Sequence, residues 1–168
     1  MSQLAEMSTP KDLTLSLQDQ FAPNLVCFGC GPANEKGLQI KSFVEDGEDG
    51  EVVADFQPQQ WHQAFEGMLN GGITGALLDC HMNWTAAWHL MQESGASKPP
   101  CSVTSEFTVK FKAPTPVENP IRLVARVVQS SNRWARTEAE LIADGKVTAL
   151  GSGVFVAVKE GHPAWHRW

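Results

Sequence analysis

Asp79 and the run Asn70-Gly71-Gly72 are the residues of this chain whose types and spacing could do chemistry. Asp79 stands in an apolar stretch, Ala76-Leu77-Leu78-Asp79-Cys80. A lone carboxylate in such company is costly, so it needs a hydroxyl or backbone partner, or a task. It could activate a water or attack directly in the hydrolysis of an acyl derivative. Asn70 offers an amide donor. The glycines behind it leave backbone N–H groups open at the positive end of a helix. Converging donors of that kind polarise a carbonyl oxygen. Asn70 is also a good N-cap, and the two roles are compatible. Gly71, Gly72 and Gly75 each cost a helix about 1 kcal/mol relative to alanine. Their bland use is close packing on a strand; their sharper use is ligand access. His62 precedes the helix in a loop, Thr104 and Ser105 open a later strand, and Asn83 stands level with Asp79 and Gly72 on the helix.

A second group could bind metal. Cys27-x-x-Cys30 is half of a zinc motif, and His162-x-x-x-His166 could complete it across a long separation. A structural zinc site needs four ligands. Two buried small thiols in a tight loop is the simpler reading, so no metal is expected. His81 and His89 lack the spacing of a metal pair with Asp79 and read as core-edge or solvent residues.

These groups must be positioned by a long helix. Leu69, Ile73, Ala76, Leu77, Cys80, Trp84, Ala87, Trp88 and Met91 recur in steps of three and four, which predicts an apolar face. From Ile73 to about Ser94 it is roughly 30 Å long. Asp79 lies about 120° from the centre of that stripe and so borders a cleft. The segment 95–100, Gly95 to Pro100, ends the helix.

Strands surround it. Residues 38–57 read as a hairpin through an Asp46–Gly50 turn, and Trp61 to Phe65 as a loop. Residues 101–112 alternate as a half-buried strand, followed by strands at 120–130, 133–143 and 146–158, the last two joined at Asp144-Gly145-Lys146. One helix among runs of strands argues α+β, with an antiparallel sheet covered on one face. Residues 1–24 read as an arm or short helix, 25–160 as the domain and 161–168 as a tail. The N-terminus carries neither a basic region nor an apolar one, so no signal peptide is expected and the location is read as cytoplasmic. A net charge of −6 with no Lys/Arg run argues against nucleic acid as a partner. No apolar run approaches the roughly 18 residues a membrane span requires. Trp61, Phe65, Trp84 and Trp88 could line an aromatic pocket, although core is the better expectation.

The order of strands, long glycine-started helix and four further strands resembles the hotdog fold. The stretch His62 to Ala86 is similar to the helix region of PaaI-like and THEM-like acyl-CoA thioesterases, which open the helix with His-Gly-Gly and carry an acidic residue nine positions later. Here Asn70-Gly71-Gly72 occupies the motif and Asp79 stands nine after Asn70. Thr104 in Val103-Thr104-Ser105-Glu106-Phe107, the strand end Val109 to Pro114, and the leader Cys27-Phe28-Gly29-Cys30-Gly31 also match. The resemblance covers about 25–158. It implies one long central helix wrapped by a curved antiparallel sheet of about five to six strands. It implies acyl-CoA hydrolysis without a cofactor, with Asp79 as base or nucleophile and Gly71 N–H and Asn70 holding the thioester oxygen. Thr104, from a neighbouring subunit, would position water or Asp79. His62, Gly72, Asn83 and Ser105 would contact substrate. Two subunits would pair edge to edge, with sites at their interface, and two dimers could pair again into a tetramer. The departure is Asn for His: an amide donates but moves no proton. Two rivals follow, a non-catalytic acyl-CoA-binding domain and a hydratase or dehydratase of the same fold.

Overall fold

The computed structural model describes residues 14–45 and 50–168. The expectations for residues 1–13 and for most of the Asp46–Gly50 turn therefore lie outside the described residues. In chain order the elements are α1 (Leu17–Phe21), β1 (Phe43–Val44), β2 (Val52–Phe56), a 3-10 turn (Gln60–His62), β3 (Gln63–Phe65), β4 (Met68–Leu69), α2 (Gly71–Ser94), β5 (Ser102–Phe111), β6 (Ile121–Ser131), β7 (Trp134–Ala143) and β8 (Lys146–Ala157).

Six strands form one antiparallel sheet in the order β1-β2-β6-β7-β8-β5. The α2 helix lies across it and packs against β5, β6, β7 and β8. One long helix on a six-stranded antiparallel sheet is the architecture the sequence implies. Leu77, Leu78, Met82 and Trp84 of α2 meet Ile121, Leu123, Leu141 and Phe155 of the sheet in a continuous core. The β7–β8 turn has Asp144 at φ 49° and Gly145 at φ 74°, the left-handed pair a two-residue hairpin needs.

Three expectations require correction. The first strand is only Phe43–Val44; Leu38 and Ile40 are buried, but their N–H groups bond to the carbonyls of Phe28 and Gly29 at 2.7 and 3.0 Å. The leader loop, not a sheet neighbour, takes them. The segment before α2 is no plain loop: it holds the 3-10 turn and the small β3–β4 hairpin.

Finally, α2 is not amphipathic along its length. Gly71 and Gly72 are exposed, whereas every residue from His81 to Trp88 is buried. A second layer, made by α1 and the leader, covers the face turned away from the sheet. His81 is therefore fully buried, not at the core edge. Its Nε2 lies 2.9 Å from the Val52 carbonyl, which only a donor satisfies, and its Nδ1 lies 2.9 Å from Ser42 Oγ. Gln18 of α1 completes the network, donating to Ser42 Oγ at 3.0 Å and accepting from Ser42 N–H at 2.8 Å. Burial lowers the His81 pKa to about 4, so the ring is held neutral. His89 is half-buried beside Ser130 and Glu93.

Among the described residues no helix is long and apolar enough to cross a membrane. The tail folds back: Trp168 stacks on Trp84 at 4.8 Å between ring centroids and donates its indole N–H to the Pro99 carbonyl.

Candidate active site

The start of α2 is fixed from both sides. Asn70 has extended backbone angles, φ −64° and ψ 135°, and its side-chain oxygen accepts from the N–H groups of Gly72 (2.8 Å) and Ile73 (3.3 Å). Its own N–H donates to the His62 carbonyl at 2.8 Å. The Asn70 cap thus takes the second and third amides of the helix and leaves that of Gly71 ahead of it. A Cβ on Gly71 would meet only the tip of the Phe111 ring at 3.3 Å, and one on Gly75 only Phe107 at 3.9 Å. No strand backbone presses on these glycines, so close strand packing does not explain them. Gly71 instead borders a groove of about 480 Å³, lined also by Phe65, Met68, Thr74, Phe111 and Pro114.

Further along, Asp79 is half-buried and accepts a hydrogen bond from Thr104 Oγ1 at 2.7 Å. Burial raises its pKa, the Thr104 bond opposes this, negative charge on Cys27 adds to the rise, and Arg167 counters it. Thr104 sits where β5 breaks register against β8, between Thr104 and Glu106, so the unpaired Ser105 marks a bulge. Bulges re-aim neighbouring side chains, and this one turns Thr104 toward the helix.

The structure separates the expected site residues. Thr104 reaches Asp79 of its own chain, which corrects the expectation that a neighbouring subunit supplies it. Asn83 is buried and bonded to Ser102, whose hydroxyl donates to Asn83 Oδ1 at 2.5 Å. The His62 ring is also engaged, since Nδ1 accepts from Gln59 N–H at 3.0 Å and the ring stacks on Phe56. Ser105 and Gly72 remain exposed. Gly71 and Asp79 are eight residues apart on one helix, about 12 Å at 1.5 Å per residue. A thioester carbonyl spans a few ångströms, so one chain's amide and carboxylate cannot meet on it.

Two features escaped the sequence. Arg167, within electrostatic range of Asp79, is brought there by the folded tail, which no spacing rule announces. The other is Cys80. Its sulfur joins those of Cys27 and Cys30, all within 4.8 Å of one another, while His162 and His166 stay apart. Cys27 is half-exposed, so the reading of two buried thiols is corrected to three clustered ones. Thiol hydrogen bonds from Cys30 and Cys80 lower the Cys27 pKa, and the same bonds raise the other two, up to about 12 for Cys30.

The model of the thioesterase superfamily matches residues 66–150, the span from the β3–β4 turn to the middle of β8. A thioesterase superfamily protein from Shewanella loihica is 28% identical, with a TM-score of 0.60 over 76% of this chain and 98% of that one. A Bacillus halodurans protein crystallised with CoA is 25% identical, with a TM-score of 0.58 over 73% and 76%. The E. coli PaaI protein of the phenylacetic acid degradation operon, at 19% identity and a TM-score of 0.60 over 76% and 85%, shares the fold. No curated protein matches the chain significantly in sequence.

Proposed function

Because the chain belongs to the thioesterase superfamily, with a hotdog fold of the PaaI-like kind, we propose that it hydrolyses an acyl-CoA to the free acid and CoA. The observation that carries this is Asp79, a half-buried carboxylate oriented by a hydrogen bond from Thr104. The Bacillus halodurans relative crystallised with CoA supports the substrate class.

Asp79 takes a proton from water as the water oxygen attacks the thioester carbon. The carbonyl oxygen becomes an oxyanion and is held by the Gly71 N–H and the Asn70 amide. The tetrahedral intermediate then expels the CoA thiolate, which recovers the proton from Asp79. Asn70 suits this scheme because polarising an oxygen requires a donor, not a proton shuttle. The 12 Å helical separation supports drawing the Gly71 end from a second copy. The free edge that would bring it is β5, a ten-residue edge strand carrying exposed Phe107 and Phe111. An edge of that kind needs covering. We assign it to an edge-to-edge homodimer, with a further pairing into a tetramer open to it. His62, already used in capping and stacking, gives a hydratase no free base at the helix start.

The experiment is release of free CoA from short, medium, long-chain and aryl acyl-CoAs by native protein and by Asp79→Asn. Turnover by the native chain with a loss of at least about 100-fold in the variant supports the proposal. Equal rates would remove Asp79 from the chemistry. No turnover on any member of the panel would move the chain to the acyl-CoA-binding class.

A further inference from the structure

We propose that Cys27, Cys30 and Cys80 form a three-thiolate binding site for a thiophilic cation, Zn(II) first among them. Two of the sulfurs come from one tight turn of the leader and the third from α2, so the site joins segments 50 residues apart in sequence.

The distances suit metal. The Cys27 and Cys80 sulfurs are 3.7 Å apart. Tetrahedral zinc with bonds of about 2.3 Å sets its sulfurs about 3.8 Å from one another. They are far from the roughly 2.05 Å of a disulfide. A disulfide would also use two of the three sulfurs and strand the third.

The turn holds its two sulfurs in one shape. The Gly31 N–H closes the turn on the Cys27 carbonyl at 2.8 Å. A Cβ on Gly31 would lie 2.4 Å from the Leu25 carbonyl oxygen and 2.5 Å from Cys27 N, so only glycine follows the second cysteine. The Trp84 indole N–H reaches the Cys30 sulfur at 3.3 Å. Such donors to ligating atoms are the outer partners that orient metal ligands. The loop is pressed onto the helix hard enough that a Cβ on Gly29 would sit 2.3 Å from the Cys80 sulfur.

Among the described residues no fourth histidine, cysteine or carboxylate joins the three. Cys27 is half-exposed, so solvent or an exogenous ligand can reach a fourth position beside its sulfur. Three protein ligands plus an open position is the coordination of a site that can exchange its fourth partner. Binding replaces thiol protons by the metal and releases them to solvent.

The test uses the full chain, purified anaerobically under reducing conditions, stripped with a chelator, and titrated with Co(II) and then Zn(II). We expect about one equivalent per chain, a thiolate-to-Co(II) charge-transfer band, and displacement of Co(II) by Zn(II). Cys27→Ser and Cys80→Ser should lose the band while retaining the native circular dichroism spectrum, and Cys101→Ser should keep it. Trp84→Phe should weaken Zn(II) binding by about 10- to 100-fold, the usual effect of removing an outer partner. Absence of the band from the native chain would overturn the proposal whatever the variants do. So would a band that survives both substitutions, or isolation of a Cys27–Cys80 disulfide that takes up no metal after reduction.

Discussion

Replacing Gly71 by proline deletes one atom group, the amide hydrogen proposed to hold the oxyanion, and leaves the helix intact. Gly71 is the first residue of α2. Proline is favoured at that position because its missing N–H would go unused by the helix ladder. The residue before it, Asn70, already has ψ 135°, the extended setting that a following proline demands. The Asn70 cap draws on Gly72 and Ile73 and so survives. The one crowded neighbour is the tip of the Phe111 ring, 3.3 Å from a new Cβ and free to shift. Loss of glycine from the unfolded chain contributes about 0.4–1 kcal/mol in the opposite direction. Stability should therefore change by no more than about 1 kcal/mol. Removing one oxyanion donor lowers kcat by about 100- to 1,000-fold, or roughly 2.7–4 kcal/mol. The assay is kcat and KM on the best acyl-CoA of the panel, alongside thermal melts of Gly71→Pro and Gly71→Ala. Alanine adds a similar Cβ but keeps the N–H, so it should stay near native. A well-folded proline variant with kcat within about threefold of native would refute the oxyanion role.

Two further substitutions test the supports of the site. Thr104→Val keeps the branched shape and removes the donor to Asp79; a hydrogen bond to a charged group is worth about 1.5–3 kcal/mol, so kcat should fall by about 10- to 150-fold and the melting temperature by about 3–10 °C. His81→Leu leaves the Val52 carbonyl and the Ser42–Gln18 pair short of a partner in the core, at about 1–3 kcal/mol for each group. Thermal denaturation should move down by on the order of 10 °C for a chain of this size, and an unchanged melt would show that the network contributes nothing.

Periodicity located α2 because its sheet-facing side chains repeat at helical spacing. It misjudged the outer face, because His81 and Thr85 are polar by type yet buried by a second layer contributed from elsewhere in the chain. No local pattern around position 81 encodes Ser42 or Gln18. Asn70 was legible as a cap because its partners are two and three residues away. Thr104 could be picked out only by resemblance, since the bulge that aims it depends on the pairing of β5 with β8. Leu38 and Ile40 alternate as strand residues do, but the carbonyls they meet belong to Phe28 and Gly29, which the hairpin pattern cannot show. The cysteine cluster failed for the same reason: the search for ligands looked along the chain to His162, while the third sulfur lay across space on the helix beside Asp79.

The length of helix between Gly71 and Asp79 has a genetic meaning. In a symmetric dimer whose two sites each draw one end from either copy, a chain lacking Asp79 and a chain lacking the Gly71 amide are each inactive alone. Mixed together, half the random pairs are hybrids, and each hybrid has one site with both defects and one with neither. Two null alleles would then complement one another, restoring about a quarter of native activity, and a damaged allele carried beside an intact one would act as a partial loss, not a dominant poison.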